Sequence, residues 1–128
     1  MADVASQWAQ HIEAIESGYE FMLAYAAQGQ VDDDPSGGGS QLRQFLEKMN
    51  GALEQLAETA VQMAQEKGLV DYQDFVDALQ ADAARARAGI NLVLGKSALS
   101  SQLIDNLNAS IHLRTLLTDI FLIDEALK

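Results

Sequence analysis

His11 and His112 are the only histidines in a chain of 128 residues that has no cysteine, which removes disulfides, thiolate metal sites and cysteine nucleophiles together. A di-iron carboxylate centre in a helical bundle takes one Glu from each of two helices and a Glu-x-x-His pair from each of the other two. Trp8 and Ala109 stand three residues before the histidines, so neither completes such a pair. Glu13, Glu16 and Glu20 follow His11 at a spacing that reads as a solvated helix face. Neither histidine has a serine and a carboxylate placed to activate a nucleophile. The expectation is no metal, no cofactor and no catalytic residue, which weighs against an enzyme.

Two other motifs fail on their spacing. Gly95-Lys96-Ser97 matches the end of a phosphate-binding loop, in which backbone N–H groups cradle phosphates and a lysine reaches the terminal ones. The first glycine of that loop would fall at Ile90, and the segment follows a helical pattern where the motif needs a strand. A helix terminator with a cap behind it accounts for all three residues. Asp32, Asp33 and Asp34 offer oxygen ligands for calcium, yet an EF-hand loop counted from Asp32 puts Ser36 fifth and Arg43 twelfth. They read as an extended, self-repelling loop.

The polar residues of most chemical interest lie in the last segment. A line through Leu103, Leu107, Leu117 and Phe121 passes over Ser110 and Arg114, and an unpaired buried arginine costs several kcal/mol. Arg114 therefore either pairs with a carboxylate such as Glu16 or Glu20 and fixes helix register, or joins His11, Tyr19 and Ser110 on the floor of a ligand pocket between the first and last helices. Four of the eight aromatic residues, Trp8, Tyr19, Phe21 and Tyr25, fall in the first segment. Phe21 and Tyr25, beside Gly18, are candidates for a protein interface.

The elements that must position these residues are helices. Leu42, Leu46, Met49, Leu53, Leu56, Ala60 and Met63 recur at alternating spacings of three and four, which the 3.6-residue turn brings onto one face. Tyr72, Val76, Leu79, Ala83, Ala86, Ile90 and Val93 do the same, as do Trp8, Ile12, Ile15, Tyr19, Met22 and Ala26. Breakers and caps divide the chain into helices over 4–28, 41–67, 71–94 and 98–127. Asp3, Ser40, Asp71 and either Ser97 or Ser100 cap their starts, and Gly29, Gly68 and Gly95 mark the ends of the first three. Short links after the second and third helices predict antiparallel hairpins. The fold class is all-α, an up-down-up-down four-helix bundle in one domain spanning 1–128. A flexible, acidic, glycine-rich loop over 29–40 is expected to interrupt it, and its Gly37-Gly38-Gly39-Ser40 resembles an engineered linker.

The last helix carries more apolar surface than one bundle face hides. Leu116, Ile120, Ile123 and Leu127 are accordingly expected to form a homodimer interface. Nineteen acidic against eight basic residues give a formal charge of −11, which repels phosphate backbones and anionic membranes, and the cations are scattered along the chain. Nucleic acid is not an expected partner. The acidic balance fits plain solubility, or a basic protein partner, better. No apolar run approaches the ~20 residues of a membrane span, and the start of the chain lacks an export signal, so a cytoplasmic location is expected. These features point by exclusion to a protein-interaction module that self-associates through its last helix. The competing reading is a small-molecule binder with a polar cavity between the first and last helices.

Overall fold

The computed structural model describes residues 3–29, 39–68 and 71–128. Among these residues the chain is helical and without strand: α1 (Val4–Ala26), α2 (Gly39–Glu66), α3 (Gln73–Leu94), α4 (Ser101–Ala109) and α5 (Ile111–Ala126). The expected acidic loop lies almost wholly outside the described residues, at 30–38, and so does the link at 69–70.

Helix starts and stops follow from local chemistry. The Asp3 carboxylate accepts the Ser6 backbone N–H at 2.7 Å, occupying one of the donors that the first turn of α1 leaves without a helical partner. Gly29 and Gly68 have φ of 69° and 70°, the left-handed geometry that a residue without Cβ adopts at little cost. Ser100 caps α4 by accepting from Leu103 N at 3.1 Å. Two expected caps differ. Ser40 lies inside α2, and α3 is preceded by Tyr72, with no side-chain cap from Asp71. Gly95 ends α3 with φ −74°, so a left-handed turn is not what stops that helix.

The apolar stripes of α2 and α3 turn inward as their spacing requires. Leu42, Leu46, Met49, Leu53, Leu56, Ala60 and Met63 are all buried, as are Val76, Leu79, Ala83, Ala86, Ile90 and Val93. Fully burying one such leucine is worth about 1.5–3 kcal/mol. On α1, Trp8, Ile15, Met22 and Tyr25 are buried, while Ile12, Tyr19 and Ala26 pack half-buried at the edge of the core. Gly18 lets α1 approach α2 closely, since a Cβ there would stand 3.2 Å from Met49 Sδ. One turn on, the rings of Phe21 and Phe45 stack with centroids 4.6 Å apart.

The single helix expected over 98–127 is instead two. Ser110 has φ −58° and ψ 129°, outside the helical region, so it separates α4 from α5. The break leaves its own backbone bonded: Ser110 N donates to Leu107 O at 3.1 Å, and Arg114 N donates to Ser110 O at 3.1 Å. The inward faces are Ser101, Ile104, Leu107 and Asn108 on α4, then Leu113, Leu116, Leu117, Ile120 and Ile123 on α5. Long-range bonds tie the helix ends together. Trp8 Nε1 donates to Asp124 Oδ1 at 2.8 Å, Tyr25 OH donates to Leu99 O, Ser101 Oγ donates to Tyr25 O at 2.7 Å, and Tyr72 OH donates to Ala126 O at 3.0 Å.

Candidate functional site

The polar quartet is spread over α1, the break between α4 and α5, and the first turn of α5. Arg114 is exposed and has no ion pair among the described residues, so neither Glu16 nor Glu20 pairs with it. Ser110 sits at the break between α4 and α5, joined to Arg114 only through the backbone bond already described. Tyr19 and His11 are half-buried on α1. No side-chain bond among the described residues joins any two of the four. Their expected alignment assumed one continuous helix, and the extended backbone at Ser110 resets the direction of every side chain beyond it. Phe121, on the same extrapolated line, accordingly points outward and is 59% exposed.

The expected interface is corrected in the same way. Leu116, Ile120, Ile123 and Leu127 are no more than 2% exposed and belong to the chain's own core. Tyr25 is buried too, latched to Leu99 and Ser101, and Phe21 is half-buried against Phe45. These six side chains offer little contact surface to a partner. Among the described residues the exposed large apolar side chains are Leu23, Leu92, Ile111, Phe121 and Leu122. Leu122 borders a groove at the α3–α5 seam whose other walls are Tyr72, Phe75, Ile123 and Ala126, with Asp71 at its edge. This groove is lined mainly by apolar side chains, and Phe121 adjoins Leu122 on the outer side of α5.

A register-fixing polar contact does exist, but between α2 and α3. Asn50 Nδ2 donates to Asn91 Oδ1 at 2.9 Å, Arg87 Nε donates to Asn50 Oδ1 at 3.0 Å, and Arg87 Nη2 lies 3.8 Å from Glu54. Arg43, at the start of α2, donates to Leu94 O, Lys96 O and Ser97 O at 3.3, 2.7 and 3.1 Å. A cation there meets both the free carbonyls and the negative end of the α3 dipole. The four-residue step from Arg87 to Asn91 places both on one helix face, a signal present in the sequence but lost among other exposed polar residues.

Three buried polar groups stand out electrostatically. Asn108 is 8% exposed, and neither its amide nitrogen nor its amide oxygen has a hydrogen-bond partner among the described residues. His11 Nε2 is likewise buried without a partner, and desolvation holds this imidazole below the usual histidine range. Asp119 on α5 is pushed up to about 7, first by burial and then by a hydrogen bond and like charge from Asp82 on α3.

Along the outer side of α1 a second groove is floored by Trp8 and Ile12 and walled by Glu13, Glu16, Glu20 and Asp124. The three glutamates are exposed, with no cation paired to them among the described residues. No group of three or more His, Asp and Glu residues among the described residues is arranged to hold a metal ion. Among the described residues, no helix is long and apolar enough to cross a membrane. Comparison with protein-family models, with curated proteins and with solved structures finds no match to this chain. Among its described residues the chain is an all-α protein with an apolar groove at its α3–α5 seam.

Proposed function

We propose that the chain is a non-catalytic protein-interaction module that self-associates through the outer side of α5 and the adjoining groove on α3. The observation that carries this reading is the exposure of Phe121 and Leu122, 59% each, on a helix whose inward face is already filled by Leu113, Leu116, Ile120 and Ile123. Two large adjoining side chains left in water beside a groove walled by Tyr72 and Phe75 favour contact with a complementary apolar surface. A second copy supplies such a surface, because a two-fold contact brings the same strip against itself. Phe121 and Leu122 carry no charge themselves, and Glu125, one turn on, pairs with Lys128 at 3.2 Å, so repulsion between two acidic chains is offset there in part and screened by salt.

The architecture in this reading is an antiparallel bundle in which α4 and α5 together occupy the place of a fourth helix. Its support is the pairing of ends: Trp8 with Asp124, Tyr25 with Leu99, Arg43 with the last turn of α3, and Tyr72 with Ala126.

Sedimentation equilibrium of the whole chain across the micromolar range tests the proposal. A monomer–dimer equilibrium is expected, with Leu122→Glu giving monomer throughout. Leu23→Ser, which removes an exposed leucine on α1, leaves the equilibrium in place. A wild-type chain that stays monomeric overturns self-association, and a dimer unaffected by Leu122→Glu overturns the assigned surface.

A further inference from the structure

The joint between α4 and α5 bends a segment that nothing local obliges to bend. Asn108, Ala109, Ser110 and Ile111 include neither proline nor glycine. Ser110 keeps a helical φ of −58°, and of its two dihedrals only ψ, at 129°, departs. Its side chain gives α5 no cap, so the N–H groups of Ile111, His112 and Leu113 forgo the carbonyls of Leu107, Asn108 and Ala109 that an unbroken helix would offer them.

Long-range packing holds the bend. α4 lies mainly on α1 and α5 mainly on α3. The start of α4 is tied down without help from α5, since Tyr25 OH donates to Leu99 O and Ser101 Oγ donates to Tyr25 O at 2.7 Å. The far end of α5 has its own ties, Asp124 accepting from Trp8 and Ala126 O accepting from Tyr72. A straight segment cannot keep both sets. Ile104 and Leu113 are nine residues apart, as are Leu107 and Leu116, and all four are buried. Nine residues make about two and a half turns, so in an unbroken helix each pair points to opposite sides. Length gives the same result: the 23 steps from Ser101 to Asp124 make roughly 35 Å of straight helix, against 17 steps and roughly 26 Å from Trp8 to Tyr25. With α4 still tied to Tyr25, straightening turns the apolar face of α5 away from its own core and carries Asp124 past Trp8.

We infer that residues 101–126 also run as one continuous helix, whose α5 half docks on α1 and α3 of a second copy and is exchanged for that copy's own α5. The second copy is the occupant because the surface it vacates already fits: Leu113, Leu116, Ile120 and Ile123 regain the neighbours that bury them in the monomer. Its Trp8 and Tyr72 meet Asp124 and Ala126, and the reciprocal exchange closes on a two-fold axis. The exchanged pair keeps these contacts and adds the helical bonds that the bend forgoes. It uses the inward face of α5, whereas the self-association proposed above uses the outward one, so either fails without the other.

Leu122→Glu, which removes the outward contact, is the background for the test. This chain is unfolded in urea, refolded at high concentration, diluted and passed through size exclusion with light scattering. A dimer that outlasts dilution is expected, because returning the helices requires their inward faces to come apart. Ser110→Ala, which favours helix at the joint, should raise its yield several-fold. Ile111→Pro should abolish it and leave a folded monomer. Proline suits the first position of a helix and holds the residue before it extended, as Ser110 is in the bent form. Ile111 is itself 70% exposed, so little packing is lost. Absence of a lasting dimer, or a yield unchanged by Ile111→Pro, overturns the exchange. Should a variant fail to fold, isotope-filtered NMR of lasting dimers mixed from labelled and unlabelled wild-type chains decides. Contact of Trp8 with Asp124 between chains supports the exchange, and contact within one chain alone overturns it.

Discussion

Single residues in this molecule act mainly through the space and the polar partners around them. Gly51 and Gly18 both interrupt helix interiors, yet their surroundings differ. A Cβ added at Gly51 meets nothing within 4 Å, so Gly51→Ala removes only the conformational cost of glycine and is expected to raise stability by about 0.5–1 kcal/mol in urea or thermal unfolding. A Cβ at Gly18 already reaches 3.2 Å from Met49 Sδ, and Gly18→Val is expected to lower stability by about 1–3 kcal/mol through overpacking between α1 and α2. His11 gives a pH-dependent case. Its buried, partnerless Nε2 favours the neutral ring, so the folded chain binds this proton less readily than the unfolded chain. The stability it preserves is full above the ordinary histidine value of about 6.5 and is lost as pH falls from there through the depressed folded value. Unfolding of the wild type and of His11→Leu should therefore diverge in that acidic direction only, with the wild type the more sensitive; an unchanging difference across the range would refute the assignment.

At the scale of elements, helix ends matter more than helix interiors. The last turn of α3 and the segment behind it present carbonyls with no helical donor, and Arg43 of α2 gathers three of them. Hydrogen bonds to a charged group contribute about 1.5–3 kcal/mol, so Arg43→Ala is expected to destabilise the chain by that order in chemical unfolding. Arg43→Lys should recover part of the loss, since a lysine keeps the charge near the helix dipole but not the planar fork. Equal losses for the two variants would assign the effect to packing of the side-chain stem. The α4–α5 break is the other consequence of element ends. Ser110 leaves the helical region while keeping both of its backbone groups bonded, so a chain with no proline or glycine at that point still divides its last segment in two.

For the whole molecule the governing quantities are the charge of −11 and the exposed apolar pair Phe121 and Leu122 on α5. They oppose each other in self-association, because burying Phe121 and Leu122 against a second copy brings two acidic bodies together. Added salt screens that repulsion, so the dimer sought by sedimentation should strengthen between low and physiological ionic strength. Binding of a basic partner would respond in the opposite sense. A dimer that weakens with salt would place ion pairs, not the Phe121–Leu122 strip, at its centre.

Periodic burial needed no tertiary information. The seven α2 positions from Leu42 to Met63 all face inward, because alternating steps of three and four allow one buried face and hydrophobic burial selects it. Local chemistry likewise specified the cap at Asp3 and the left-handed glycines at 29 and 68. Three-dimensional packing alone decided the fate of residues 98–127. Ser110 has no strong breaker signature, so the sequence offered no reason to reset the register there, and Arg114 and Phe121 were aligned with a core they do not enter. The burial that pushes the Asp119 carboxyl up was equally illegible, since on its own helix it looks like an ordinary solvated acid. Periodicity encodes which face of a helix turns inward. Which helix then stands opposite, and which of its side chains meets a given residue, is settled by the packing of the whole chain.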